Sequence, residues 1–140
     1  MKVIYFSVKT AQAKVHYLLR AISHHFAQNE KIQIVAPDEK ALAFLDDLLW
    51  TQPKESFLPH SVSSPTPFHD LIYICLLKEA SDDYPFVFNL TSSPYQPSAR
   101  TKTLYELEDC SHPAKKALFQ VKFKHYQSLN YTLSGGSPSF

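Results

Sequence analysis

Glycine is almost absent from this 140-residue sequence, which contains only Gly135 and Gly136, both near its end. Dinucleotide-binding folds and P-loops place glycines directly after an early strand, where they permit tight turns and close approach of the backbone to phosphate. The turns that follow the first two predicted strands, SVKTAQ and VAPDEK, contain no glycine. We therefore expect no nucleotide cofactor bound in either of these ways.

Cysteine is also scarce, and long hydrophobic runs are missing. Cys75 lies inside an apolar run and Cys110 follows an acidic cluster, so two reduced thiols are expected. No apolar run approaches the roughly 18 residues that a membrane span needs. The N-terminal MKVIYFSVKTAQ has neither the long apolar region nor the small-residue cleavage site of a secretory signal. We expect a cytoplasmic protein without membrane contact.

Catalytic and metal-binding motifs are missing as well. The seven histidines form no HExxH motif and no set linked to a CxxC pair, and the adjacent His24 and His25 point in different directions on a helix. No GxSxG motif marks a serine nucleophile. Cys110 and His112 are two residues apart and do not face each other on a helix. The sequence thus predicts no catalytic, cofactor-binding or metal-binding residues.

Hydrophobic periodicity predicts strands that alternate with helices. Strands are predicted at 2–8, 31–37, 71–77, 86–90 and 103–109, with a short final strand at 129–133. Helices are predicted from a Thr10 cap to about residue 28, from Asp38 to about Trp50, and from His112 to about Ser128. This order predicts a single three-layer, Rossmann-like α/β domain with a mostly parallel sheet. The domain spans 1–133, 134–140 is expected to be a disordered tail, and 91–103 shows no convincing helix.

The last predicted helix combines lysines with aromatic residues. The 14 basic and 13 acidic residues of the chain nearly cancel, which argues against nonspecific nucleic-acid binding, but four lysines fall within 115–124, where no acid occurs. Helical spacing predicts core positions at Ala114, Ala117, Leu118, Val121 and His125. The opposite side then carries Phe119, Phe123 and Tyr126, flanked by Lys115, Lys116, Gln120, Lys122 and Lys124. Such a stripe suits an apolar, acidic peptide; a solvated basic face with partly buried rings is the alternative.

A second unusual stretch is LWTQPKESFLPHSV, residues 49–62, which places large apolar side chains in a connection. In the preceding helix Ala41, Phe44, Leu45 and Leu48 are predicted to face inward. The prolines at 53 and 59 stiffen the segment, so that Trp50 and Phe57 would be displayed to a partner. The alternative is that these two side chains close the end of the core.

The run IQIVAPDEKALAFLDDLLWTQPKESFLPHSV, residues 32–62, resembles the chi subunit of the bacterial DNA polymerase III holoenzyme. In that family a strand, a DEK-type helix start, LDxxLW and a PxESFxPH segment follow in this order. The resemblance implies a noncatalytic, Rossmann-like accessory subunit of the clamp loader. It also implies two partners, the psi subunit and the acidic C-terminal tail of single-stranded DNA-binding protein, so that DNA is contacted indirectly.

The resemblance also implies residues for both contacts. Trp50, Phe57, Pro59 and His60 match the segment implicated in psi binding, and Lys116, Gln120, Phe123, Lys124 and Tyr126 match the tail-binding helix. Gln120 departs from the family, which commonly has arginine there, and a neutral amide makes no charge-assisted bidentate bond to a carboxylate. A small α/β enzyme or a nucleotide-binding module is the alternative function. It would require glycine or a polar cluster at the carboxyl ends of the strands.

Overall fold

The computed structural model describes residues 1–51, 58–63 and 71–136. Within these ranges the chain forms seven strands, three α-helices and one short 3-10 helix. In chain order they are β1 (Lys2–Val8), α1 (Ala11–Ala27), β2 (Ile32–Ala36), α2 (Glu39–Thr51), β3 (His60–Val62), β4 (Ile72–Leu76), the 3-10 helix (Leu77–Glu79), β5 (Phe86–Asn89), β6 (Thr103–Asp109), α3 (Pro113–Ser128) and β7 (Thr132–Gly135).

The described strands form one sheet in the order β3-β4-β2-β5-β6-β1-β7. Every neighbouring pair is parallel, and the register aligns Val3 of β1 with Leu104 of β6 and Ile34 of β2 with Phe88 of β5. The predicted α/β class is confirmed, and the sheet is parallel throughout its described strands.

The strand order determines which face of the sheet each helix covers. α1 leads from β1 to β2 and α2 from β2 to β3, both toward the β3 edge, whereas α3 leads from β6 to β7, toward the opposite edge. Because crossovers between parallel strands are right-handed, α1 and α2 lie on one face and α3 on the other. Leu18 and Leu45 accordingly pack with Ile34, and Tyr126 packs with Val35. These contacts confirm the three predicted layers.

The helices begin where the sequence predicts. Thr10 Oγ1 accepts a hydrogen bond from the backbone N–H of Ala13 at 3.1 Å, and Asp38 Oδ1 accepts one from Ala41 at 2.8 Å. Such caps satisfy backbone donors that have no partner inside the helix. Pro113 occupies the first position of α3, where its missing N–H has no cost. The link 90–102 between β5 and β6 forms no helix.

Strand β7 continues beyond the predicted end of the domain. Ser134 and Gly135 pair with β1, so the disorder predicted from Ser134 onward is wrong for these two residues. Gly136 follows them with its N–H bonded to Tyr5 O at 2.7 Å, and a Cβ there would lie 2.3 Å from Phe6 Cε1. Glycine is required at 136 because the backbone lies directly against this ring. Residues 137–140 of the predicted tail lie outside the described residues.

Helix α2 buries a different stripe from the predicted one. Its buried side chains are Leu42, Leu45, Leu48 and Leu49, whereas Phe44 is 57% exposed. The inward assignment of Phe44 was wrong because leucines at 42, 45 and 49 already form a face at helical spacing. Strand β3, which the sequence analysis did not predict, follows this helix and pairs with β4. No helix in the described ranges is long and apolar enough to cross a membrane.

Candidate protein-interaction surfaces

Helix α3 is rotated relative to the sequence prediction. Its buried residues are Phe119, Lys122 and Tyr126, whereas Leu118 is 48% and Val121 is 62% exposed. The other predicted core positions, Ala114, Ala117 and His125, are exposed too. The predicted core stripe therefore faces solvent, and part of the predicted aromatic stripe lies against the sheet.

A buried polar network explains this rotation. Glu106 of β6 is fully buried, and its Oε1 accepts a hydrogen bond from Lys122 Nζ at 2.9 Å. Its Oε2 accepts bonds from Tyr126 OH at 2.6 Å and from Asn89 Nδ2 at 2.8 Å. Lys122 also donates to Thr91 O. A hydrophobicity pattern treats Lys122 as a surface residue, but its ionic partner on β6 turns it inward, because buried charges must be paired.

The network also includes a backbone contact, and the pKa values of two of its side chains are raised. Tyr126 OH accepts a hydrogen bond from the backbone N–H of Tyr95 at 2.8 Å, which ties α3 to the link between β5 and β6. Burial raises the pKa of Glu106, and the Lys122 charge opposes that rise. Burial and the neighbouring Glu106 also raise the pKa of Tyr126. The sequence signal for this network was Glu106 itself, an acidic residue inside the apolar strand TLYELED.

An aromatic cluster lies beside the network. Tyr5 of β1 packs against Phe119 at 5.5 Å and against Phe123 at 5.7 Å between ring centroids, the latter edge to face. Phe119 is buried, whereas Tyr5 and Phe123 are partly exposed. Tyr5 could not be assigned to this cluster from the sequence, because nothing in a strand pattern shows which helix will cover it.

Four of the five residues predicted for tail binding are brought together on α3. Lys116, Gln120 and Phe123 are spaced four and three residues apart, which places them on one side of the helix. Lys116, Gln120 and the neighbouring Lys124 are exposed. Tyr126 is only 1% exposed and its hydroxyl is bonded to Glu106. Tyr126 fixes the helix to the sheet and does not belong to the accessible surface.

Two of the four predicted psi-binding residues, Trp50 and His60, meet at the end of α2. Trp50 is 50% exposed, and its Nε1 donates to Asp46 Oδ1 at 3.1 Å. The same oxygen lies 2.7 Å from His60 Nε2, and the Trp50 and His60 rings are 4.6 Å apart. His60 is buried, with Nδ1 2.8 Å from Leu58 O. Asp46 therefore orients both rings.

The other two predicted residues of this surface are less informative. Pro59 is half-buried beside His60. Phe57 lies outside the described residues, so its predicted role stays a prediction. Trp50 is thus the large, accessible side chain of this surface within the described residues.

Residues 1–134 match the family described as DNA polymerase III chi subunit, HolC. The chain belongs to this family. The match covers all seven described strands except the last residue of β7, so the resemblance seen in residues 32–62 extends to nearly the whole domain. No curated protein sequence matches the chain. A chi-family chain is an accessory subunit of DNA polymerase III and takes part in DNA replication.

This chi-family chain also has a crevice at the carboxyl ends of its strands. The cavity has a volume of about 530 Å³ and lies between the three α-helices, with Val15, Leu45 and Leu107 among its walls. Parallel α/β sheets bind ligands in such crevices, where neighbouring connections leave on opposite faces. Phe44 and Leu118, two of the exposed apolar residues misassigned above, also line it.

Two lysines of the crevice, Lys14 and Lys115, are paired with Asp109. Asp109 Oδ2 lies 2.5 Å from Lys14 Nζ and 3.7 Å from Lys115 Nζ. Burial opposes ionisation of Asp109, but hydrogen bonds from Lys14 and Ser111 outweigh it, so the pKa of this carboxyl lies well below its usual value. Asp109 therefore neutralises lysines that would otherwise attract a phosphate group.

Proposed function

We propose that this chi-family subunit links the clamp loader of DNA polymerase III to single-stranded DNA-binding protein. One surface, around Trp50, would bind the psi subunit, and the other, on α3, would bind the acidic tail. The observation that supports this division is that α2 and α3 cover opposite faces of the sheet. Both partners can then be held at once, which converts two separate encounters into one effectively intramolecular event.

The tail surface combines an apolar contact with positive charge. The partly exposed rings of Tyr5 and Phe123 form a shallow apolar contact surface. Lys116 and Lys124 flank it and provide long-range attraction for an acidic peptide. Gln120 contributes hydrogen bonds but no charge, so these lysines would have to pair with the carboxylates of the tail.

The psi surface depends on an ordered tryptophan. Its hydrogen bond to Asp46 and its contact with the His60 ring hold the indole in place while half of it stays accessible. An aromatic anchor that is already ordered loses little conformational entropy on binding. In this proposal the subunit catalyses nothing, contacts DNA only through its partners and acts in the cytoplasm.

The test of the tail surface is a calorimetric titration of the protein with a peptide that carries the acidic C-terminal tail of single-stranded DNA-binding protein. Phe123→Ala should weaken binding by about 1 to 3 kcal/mol, the scale of a central aromatic anchor. Val121→Ala is the matched control, because Val121 is exposed on another side of α3. Equal losses in the two variants, or none in either, would show that the tail does not bind here.

Two further substitutions distinguish charge from packing. Gln120→Arg should tighten tail binding, because arginine adds a bidentate partner for a carboxylate. Lys116→Ala should cost less than Phe123→Ala, and its effect should shrink as salt rises. Unchanged affinity for Gln120→Arg together with a salt-independent Lys116→Ala effect would argue against carboxylate pairing at this site.

The psi surface can be tested by co-purification with the psi subunit. Trp50→Ala should abolish a stable complex, whereas Phe44→Ala on the same helix should leave it intact. Phe44 is an apt control because it is also a large, exposed aromatic residue of α2. If the Trp50→Ala variant still binds psi, the interface lies elsewhere on the chain.

A nucleotide-binding module is the competing function, and the crevice is the feature in its favour. Lys14 and Lys115 of the crevice are paired with Asp109, and Lys122 with Glu106. Neither of the turns that follow β1 and β2 contains glycine. Calorimetry with ATP and with NAD should therefore show no binding. Micromolar affinity for either would favour the competing function.

A further inference from the structure

Helices α1 and α3 end in the same backbone motif. Asn29 and Asn130 both adopt the left-handed conformation, with φ of 57° and 61°. After α1, the N–H of Glu30 bonds to His25 O at 2.9 Å and the N–H of Asn29 to Phe26 O at 3.1 Å. After α3, Tyr131 bonds to Tyr126 O at 3.3 Å in the same way. This Schellman geometry brings the residue after the asparagine back over the last turn of the helix.

The side chains brought together by the two motifs differ in kind. A hydrophobic contact usually accompanies this motif, and α3 follows that rule with Tyr126 and Tyr131, whose ring centroids lie 6.4 Å apart. In α1 the corresponding pair is His25 and Glu30, with Nδ1 and Oε1 3.0 Å apart. His24 stands next to them, and the ligand-type atoms of all three residues lie within 4.8 Å of one another.

We propose that His24, His25 and Glu30 form a binding site for a divalent transition-metal ion, for which zinc is the best match. Two imidazoles and one carboxylate are the donor types that zinc accepts, at bond lengths of about 2.0 to 2.2 Å. Tetrahedral ligands at such bonds are separated by roughly 3.3 Å, which lies within the spread of these atoms. Water would complete the coordination. The sequence predicted no metal site, because residue spacing alone does not show that Asn29 turns Glu30 back toward the histidines.

The surroundings of His25 favour ligation through Nδ1. His25 Nε2 lies 2.7 Å from Tyr105 OH, and the imidazole stacks on Phe86 at 4.0 Å between centroids. A hydrogen bond at the second nitrogen and a fixed ring orientation are typical of metal-ligating histidines. Burial lowers the pKa of His25, and the neighbouring Glu30 opposes this.

His24 supplies the accessible side of the site. Gln28 Nε2 lies 3.2 Å from His24 Nε2, so ligation through that nitrogen would replace this contact. A bound cation would also lie at the C-terminus of α1, where the helix dipole favours positive charge. The metal would tie the end of α1 to the turn that leads into β2, and so stabilise that connection.

The experiment uses the full chain without an affinity tag, freed of metal by a chelator. Titration with zinc sulfate by calorimetry should give one ion per chain, and cobalt(II) should give the visible absorption of a low-symmetry site. Glu30→Gln and His24→Gln should each weaken zinc binding by at least about tenfold. His125→Gln, an exposed histidine near the end of α3, is the matched control and should bind as the unchanged protein does.

His25→Gln should abolish binding, and circular dichroism will show whether that variant folds. If it does not fold, the two surface variants carry the test alone. The proposal would be overturned if no stoichiometric binding occurs at about 100 µM zinc. It would also be overturned if Glu30→Gln and His24→Gln both bind zinc as tightly as the unchanged protein does. The tail peptide should bind equally well with and without zinc, so this result and the interaction proposed above fail or succeed separately.

Discussion

The two faces of the sheet are built on different chemistry. Under α1 and α2 the strands present Phe6, Ile34, Ile74 and Phe88 to an apolar cluster. Under α3 they present Tyr73, Cys75 and Val87, but also buried polar residues, which are Gln33, Asn89 and Glu106. One face is held mainly by hydrophobic burial, and the other adds directed hydrogen bonds and one ion pair.

This difference affects how precisely the rotation of each helix on the sheet is determined. Hydrophobic packing tolerates many side chains of suitable volume. The bonds of Lys122 and Tyr126 to Glu106 require particular atoms at particular distances. Our hypothesis is that this network sets the rotation of α3 and so determines that Lys116, Gln120 and Phe123 stand at the accessible side. Buried ion pairs are better attested for such specificity than for stability.

The largest effect is expected from breaking the ion pair. Lys122→Met should lower the free energy of unfolding by about 3 to 5 kcal/mol, because it leaves Glu106 buried without its cation. Urea denaturation measures the loss. The double variant Lys122→Met, Glu106→Leu should recover much of it. If the double variant is less stable than Lys122→Met alone, the polar network adds net stability and not mainly specificity.

On the apolar face, under α1 and α2, a conservative substitution should lower the free energy of unfolding less. Leu45→Ala should cost about 2 to 5 kcal/mol, through lost burial and the cavity it leaves, whereas Leu45→Met should cost less than about 1.5 kcal/mol. The same denaturation experiment compares both. If Leu45→Met lowers the free energy of unfolding as much as Leu45→Ala does, the apolar face requires a particular side-chain shape, as the polar face does.

A smaller effect should come from the ion pairs at the carboxyl edge, where Asp109 joins α1 through Lys14 and α3 through Lys115. Its pKa is lower in the folded chain than in the unfolded one. Its contribution is therefore present above the ordinary value of about 3.9 and is lost as the pH falls below it. Asp109→Asn should remove about 1 kcal/mol at pH 7 and progressively less as the pH falls from about 3.9 toward the lower pKa of the folded chain. A difference that does not change with pH would show that ionisation is not involved.

The smallest effect should come from Leu118→Ala. The sequence pattern placed Leu118 in the core and would predict a loss of about 2 to 5 kcal/mol. Since it is exposed, the free energy of unfolding should change by less than about 0.5 kcal/mol. Phe119→Ala, one residue further on, should cost about 3 to 5 kcal/mol because that ring is buried. Reversal of the two results would restore the original assignment of the helix faces.

Most of the fold could be predicted from sequence because its signals are local. The bounds of β1 and β6 agree with the predicted ones, and the caps at Thr10 and Asp38 lie where the helices begin. Capping and hydrophobic periodicity act between residues a few positions apart. β3 escaped prediction because three residues are too few to show a period.

The site residues divide along the same line. The sequence by itself determined that α3 carries lysines and aromatic rings and that Trp50 lies in the last turn of α2, since helix formation and composition are local properties. Only the tertiary structure decided which side of α3 is buried, because Lys122 and Glu106 are 16 residues apart in the chain and meet only when the helix packs on the sheet. Tyr105 reaches His25 across 80 residues for the same reason. A buried charge is placed by its partner, and the position of that partner is a property of the folded chain.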